Sequence, residues 1–427
     1  MMPPASDIGT RRFVDVFRLA RNLGVLLLGE VVSKVVAIFV FGRLGSVLGD
    51  ARYGELEFAF AAVTVASLVA DAGLVVFGAR AVAKDEVAAK SLLPAFLVLR
   101  AALVAASVFT IGFLAVFQVG AAPAILLGYG LALLPVPLVC DWIFQGRDEM
   151  AVITASNLLR QSCLLVGVLV FVQGPDDAWC VPVSDAVGLA AAAGLQQFLA
   201  RRRTGSLVWE GVMRRAVDIA KQAAPIGFGT IAWAVRFWAP MVIVGSVADG
   251  AFAGHYGAAH RLAVAMHQVV FLYFFNLLPT WSRDAVGSGA GIAETLRASV
   301  RKSFWITCAG ACAIVAGTWL LADPVIRFLG YGPGFEASSK ILIGLCFVPA
   351  IAFVSGNVRF GLIAAGHAKG DAWANAAGAV CVVVGCFLFG DSVATAVVPA
   401  FVVAELVTAL VALGVWFTVG RRTHATA

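Results

Sequence analysis

Charge is scarce in this chain. Asp, Glu, Lys and Arg together make up 13% of its 427 residues, about half the share usual in a soluble globular protein. Mean hydropathy is correspondingly high, +0.93. Together these exclude a molecule wrapped in a water-exposed surface. Histidine is rarer still, with five residues, and the eight cysteines lie almost all inside apolar runs without the spacing of zinc ligands. They read as small hydrophobes, and neither a metal nor a cofactor is expected. A Gly-rich phosphate loop and a paired-carboxylate motif are also lacking. The longest loop on one side of the chain, residues 323–337, holds too few acids or histidines for an active site. A membrane glycosyltransferase or polysaccharide polymerase is therefore disfavoured. So is a cleavable signal peptide, because the first apolar run is about 20 residues long and contains Glu30 and Lys34.

What the chain does have is apolar length. Runs near 21–41, 54–79, 91–117, 121–142, 150–172, 179–200, 222–248, 254–281, 304–322, 338–363, 369–390 and 393–419 each suffice to cross a hydrocarbon core of about 30 Å. None shows the alternation of a barrel strand. The expectation is an all-α polytopic membrane protein with about twelve transmembrane helices. Lys and Arg sort between alternate connections, 21 on one set against 4 on the other. By the positive-inside rule both termini are cytoplasmic. The net charge of +6 is thus a topology signal, and with no basic patch interleaved with aromatics a nucleic-acid partner is not expected. Residues 11–23 read as a cationic amphipathic helix on the cytoplasmic surface.

The most basic stretch, Arg201–Lys221, has six runs before it and six after. It divides the chain into an N-lobe (1–203), a basic linker (204–221) and a C-lobe (222–427), the two-lobe plan common in transporters. A faint repeat accompanies this division: Lys34 and Tyr53-Gly54 precede Arg236 and Tyr256-Gly257 by 202 and 203 positions.

Four cations sit deep in the runs: Lys34, Arg100, Arg160 and Arg236. Intramembrane charge is costly and marks a partner or a wet cavity. With only Glu30 and Glu405 at similar depth, the surplus is positive and the expected cargo is an anion. Arg suits phosphate through its planar fork, Lys as a point charge. Lys34 and Arg236 are expected to grip that anion from opposite lobes, with Arg160 and Arg100 assisting. Simpler roles compete: Glu30 can neutralise Lys34 in-helix, Arg160 can join a polar network, and Arg100 can snorkel. Arg261 and Arg359 read as interface anchors. Trp233 and Trp238 flank Arg236 and can hold it by cation–π contact, stack on cargo or simply pack. Asp71, Asp141, Glu405, His260 and His267 are candidates for ion coupling or gating, against plain ion pairing or a polar wall. A doubly negative headgroup carried by two cations would leave the empty carrier positive, so the membrane potential would drive its return.

Two segments resemble a known family. Residues 48–83 carry Tyr53-Gly54, Asp71-Ala72-Gly73 and Arg80, similar to the opening of oligosaccharide-lipid flippases of the multidrug/oligosaccharidyl-lipid/polysaccharide (MOP) exporter superfamily. Residues 135–150, with Asp141, Trp142, Phe144, Gln145 and Gly146, resemble the segment closing the fourth span of Wzx-type flippases. The resemblance implies a MOP/MATE-like fold of two six-helix lobes in the bacterial inner membrane. It also implies a lipid-linked oligosaccharide substrate on undecaprenyl pyrophosphate, moved to the outer leaflet for O-antigen or other polysaccharide synthesis. Membrane lipids and the polysaccharide polymerase or glycosyltransferase machinery are the implied partners. A MATE-like drug or cation antiporter is the alternative, and it predicts deep acids in excess.

Overall fold

A computed structural model describes the backbone of residues 5–285, 292–390 and 392–425. Side chains are described from Gly29 to Gly420, except within the gaps and at 30, 31 and 333. The amphipathic face of 11–23 and the Glu30 carboxylate therefore fall outside the described side chains, although the 11–23 backbone continues helix α1 without a break.

The described chain is helical throughout: α1 (Ala5–Asp71), α2 (Leu74–Lys84), α3 (Ala89–Val116), α4 (Pro123–Ala132), α5 (Asp141–Gly146), α6 (Met150–Phe171), α7 (Cys180–Thr204), α8 (Val212–Val247), α9 (Gly250–Asp284), α10 (Glu294–Phe328), α11 (Glu336–Leu345), α12 (Phe347–Ala364), α13 (Ala368–Leu388) and α14 (Val393–Ala425). By length and hydropathy they form eleven membrane-crossing segments. The first, Val32–Lys84, has 53 residues, far longer than a bilayer needs. It is two crossings joined at Gly49, where φ is 72° and ψ 171°, a conformation strained for any residue with a Cβ. Phe41 and Phe60 show that the chain reverses there. Their rings lie 5.7 Å apart, whereas nineteen residues of straight helix would separate them by about 28 Å. The twelve-run reading of the sequence and the eleven structural segments are thus the same chain counted on either side of one hairpin.

The basic stretch 201–221 is mostly not a loop. Arg201–Arg203 complete the last turn of α7 and α8 begins at Val212. Only 205–211 lies between them.

The second arm of α1 lies along α9, running parallel to it. Ala51 meets Gly250, Gly54 meets Gly254, and Glu57 meets Gly257. A methyl group on Gly54 would overlap the Gly250 carbonyl, and one on Gly254 the Asp50 carbonyl. Small residues four apart let the backbones touch, as they do between membrane helices generally. The end of the molecule with few basic residues is further closed by residues 329–335. There Tyr331 shares a hydrogen bond with Tyr53 at 3.1 Å, and His255 donates from Nε2 to the Gly334 carbonyl at 2.6 Å. At the opposite end Gly73 packs on Gly227 and Ile226. The main core runs between these two closures, built from α1, α4, α8, α9, α11 and α14 side chains such as Tyr129, Phe237, Tyr256, Leu345 and Phe401.

Candidate functional site

One helical turn inward from the Gly54–Gly254 contact, the α1–α9 seam becomes ionic. Arg261 sets its guanidinium fork on Glu57, Nε to Oε1 and Nη2 to Oε2, both 2.9 Å. Glu57 is buried (1% exposed). The Phe41 and Phe60 rings sandwich the cation, with Cζ 3.2 and 4.6 Å from their centroids. A delocalised guanidinium tolerates this cover better than an ammonium would. Among the described residues this is the one arginine–carboxylate pair joining a helix before residue 204 to a helix after residue 212. Arg261 is therefore not an interface anchor, and Glu57 escaped the sequence reading. A signal was present: Glu57 interrupts an apolar run, and the 204-residue offset between the two is within one residue of the 203 of the Tyr-Gly repeat.

The deep cations singled out from sequence are placed as follows. Arg160 on α6 makes a two-pronged pair with Asp185 on α7, both contacts 2.9 Å, and over a third of its side chain stays accessible. Arg100 on α3 donates to Asp71 at 2.6 Å and to the Val139 carbonyl at 2.7 Å. It is buried, so it does not snorkel. Arg236 on α8 is wholly enclosed and donates to Glu405 of α14 at 2.6 Å. Arg359 approaches the other Glu405 oxygen at 3.9 Å, donates to Asp371 at 2.6 Å and to Asn375 at 3.1 Å. It too is an interior residue and not an anchor. Lys34 is partly exposed on the first arm of α1.

Two expectations are thereby corrected. The deep surplus of positive charge is largely neutralised, because Arg100, Arg160, Arg236, Arg261 and Arg359 each meet a carboxylate. Arg236 and Arg100 also face no open crevice in this conformation. The physical reason is the cost of burying an unpaired ion, several kcal/mol even after relaxation. The enclosed C-terminal network is not fully satisfied: Nε and Nη2 of Arg236 have no hydrogen-bond acceptor.

The remaining candidates are packed into the same interior. Trp233 stacks at a tilt on Phe237, centroids 5.2 Å apart, and Trp238 meets Phe60 and His260 edge-on at 5.8 and 5.4 Å. His260 donates from Nε2 to the Phe237 carbonyl at 2.8 Å and lies nearly parallel to Tyr256. His267 packs on Phe237 at 4.3 Å. The two Nδ1 atoms have no hydrogen-bond partner, and each ring stacks on aromatics without forming a chain to the other. Asp141 accepts from Gln196 at 2.6 Å. Its neighbours Trp142, Ile143 and Phe144 are buried against α2 and α3, so the Asp-Trp-x-Phe-Gln-Gly segment fixes a corner of the fold at the basic end.

Residues 19–283, more than half of the chain, match the family described as polysaccharide biosynthesis protein. The chain belongs to that family. No curated protein matches it by sequence. Its fold is similar to that of a lipid II flippase, MurJ, in an inward closed conformation, with a TM-score of 0.68 at 12% identity over 94% of this chain and 90% of that one. It is also similar to a multidrug resistance MATE family transporter of the MOP superfamily in an inward-facing conformation (0.67, 13%, covering 92% and 95%). A third likeness is to a MOP superfamily transporter from Pyrococcus furiosus (0.55, 12%, covering 96% and 95%). At such identities the likeness concerns the fold alone: this family member shares the many-helix architecture of those proteins.

Proposed function

We propose that this protein is a flippase that carries a pyrophosphate-linked oligosaccharide on a polyprenyl tail from the cytoplasmic to the outer leaflet of a bacterial inner membrane. The observation that carries this reading is the Arg261–Glu57 pair across the α1–α9 seam, in a member of a polysaccharide-biosynthesis family. The polyprenyl tail can stay in lipid while the headgroup needs a polar route, since ionised groups cannot be buried unpaired.

In this reading residues before 204 and after 212 act as two halves that part and close around the headgroup, with both termini cytoplasmic. When the Gly73–Gly227 contact at the basic, cytoplasmic end opens and a headgroup enters, the fork of Arg261 exchanges its carboxylate for pyrophosphate oxygens, which match it equally well in shape. Arg160, already accessible, and Lys34 are the next cations available. Arg236 and Arg100 act indirectly, as internal locks on the helices they join. The ring faces of Trp238 and Trp233 become sugar platforms only if the opening frees them from Phe60 and Phe237. Product lipid would pass to the polysaccharide polymerase or glycosyltransferase machinery on the far side.

The test is a strain in which the protein can be depleted, with glycosidase- or lectin-accessible reporting of lipid-linked saccharide by leaflet. The expected result is accumulation on the cytoplasmic leaflet, rescued by wild-type protein and by Arg261→Lys in part, but not by Arg261→Ala at equal membrane abundance. Unchanged leaflet distribution on depletion would overturn the proposal. A MATE-like antiporter would instead show altered tolerance to cationic drugs with no saccharide phenotype.

A further inference from the structure

One cavity lies away from the α1–α9 seam and is used by nothing above. It holds about 390 Å³ between the start of α10 and the end of α14, lined by Arg297, Val300, Arg301, Phe304, Trp416 and Phe417. Its charge state differs from that of the interior. All five deep arginines meet carboxylates. Neither Arg297 nor Arg301 does among the described residues, although both are near enough to the bilayer edge to find water. Arg297 donates one bond, to the Gly420 carbonyl at 3.0 Å, which aims its guanidinium across the cavity and leaves its other donors free. Arg301 is exposed one helical turn further along the same face of α10.

The walls are apolar and they continue outward. Phe304, Trp305, Ile306 and Phe417 are exposed large side chains, a surface that faces lipid in a membrane-spanning helix. The depth fits an interface. α10 has 35 residues, about 52 Å of helix, longer than the hydrocarbon core by several turns. Its first turns, which carry Arg297 and Arg301, therefore stand at headgroup level beside the basic loops. Trp416 at the floor of the cavity is the kind of residue that sits at that level.

We infer that this cavity binds the headgroup phosphate of an anionic phospholipid of the cytoplasmic leaflet, with its acyl chains lying along Phe304, Trp305 and Phe417. Two unpaired guanidinium groups over aromatic walls match a phosphodiester with an attached hydrocarbon, and each basic group at a membrane surface attracts anionic lipid. The volume suits a phosphate with a glycerol-sized substituent. The cavity's place between the start of α10 and the end of α14 separates it from the transport seam and assigns it to bulk lipid. The inference does not depend on the transported substrate.

The test is native mass spectrometry of the detergent-purified full chain titrated with phosphatidylglycerol or phosphatidylcholine. The wild type is expected to retain one phosphatidylglycerol with about tenfold preference over phosphatidylcholine. Arg301→Ala and Arg301→Glu should abolish that preference, while Lys221→Ala, an exposed cation outside the cavity, should leave it intact. Arg301 is exposed, so its variants keep the fold, which the thermal midpoint will verify. Equal retention of both lipids by the wild type, or an undiminished preference in Arg301→Glu, would overturn the proposal. So would one-for-one displacement of phosphatidylglycerol by polyprenyl pyrophosphate, which would assign the cavity to substrate.

Discussion

Arg261→Ala is the most informative perturbation of the seam. The variant removes a fork that donates twice to Glu57 and strips the Phe41 and Phe60 rings of their cation. It leaves Glu57 buried and unpaired. Breaking a buried pair on one side costs about 3–5 kcal/mol. Because the pair joins α1 to α9, in the proposed cycle that cost falls on the closed conformation, and at about 1.4 kcal/mol per decade it raises the open fraction by roughly 100- to 3,000-fold. Opening can be read chemically. Ala253 is buried and faces Gly54, so Ala253→Cys in a background with the eight native cysteines replaced is reachable by an impermeant maleimide only when the α1–α9 seam separates. Labelling should accelerate strongly in Arg261→Ala and in Glu57→Ala. The double variant Arg261→Met with Glu57→Gln should recover most of the protection, because replacing both members of a buried pair is often nearly neutral and the two effects are coupled. Labelling rates within threefold of the parent for both single variants would refute the reasoning, since the pair would then hold nothing shut.

Further outcomes follow from other contacts. Arg236→Ala should destabilise the folded protein by up to about 3–5 kcal/mol, because Glu405 keeps only the longer 3.9 Å approach of Arg359, with most of the loss recovered in Arg236→Met with Glu405→Gln, read as thermal midpoints in detergent. Arg160→Ala, by contrast, should cut saccharide flipping more than it lowers the midpoint, because its partly exposed pair with Asp185 contributes less to stability; parallel losses would deny it a role with substrate. Gly254→Val should prevent the α1–α9 contact by overlapping the Asp50 backbone and speed maleimide labelling of Ala253→Cys as Arg261→Ala does. At the same end burial pushes the Tyr331 phenol up to about 12. Its contribution to the Tyr53 contact is therefore fully present below the ordinary phenol value of about 10 and lost as pH rises towards about 12; labelling, taken relative to a fully exposed cysteine at each pH to remove the thiolate dependence of the reagent, should be flat across neutral pH and rise only in that alkaline window. Finally, a carrier whose deep arginines are matched by carboxylates crosses empty without net charge, so the potential acts on the loaded limb. Outward movement of a doubly negative headgroup gains up to about 4.6 kcal/mol at 100 mV inside negative, and flipping in proteoliposomes should accelerate under a potassium–valinomycin potential of that sign.

The sequence reading placed the spans well and the charges poorly. The segments around α6, α8 and α13 agree with their apolar runs to within a few residues, apart from the basic turns that lengthen α8 at its start. The hairpin at Gly49 was also legible, because the two runs on either side are each a bilayer long. Arg236 reads from sequence as a substrate-binding cation and Glu405 as a separate coupling or gating candidate, and the fold pairs the two. Glu57, Asp185 and Asp371 were not among the candidates, since each looks like an isolated acid near the edge of a run and nothing local says which way it points. Arg261 and Arg359 were misjudged for the same reason: position within a run gives depth, but not whether a side chain faces lipid or protein.

Hydropathy, helix length and loop charge are sums over about twenty consecutive residues, so the chain alone settles that this is a many-helix membrane protein and how its connections alternate. The pairing of Arg236 with Glu405 across 169 residues, and of Arg261 with Glu57 across 204, depends on which helices lie side by side and on their rotation about their own axes. Both are set by close packing of small residues such as Gly54 and Gly254, and only the assembled helices decide whether a buried cation is a free charge or one half of a neutral pair.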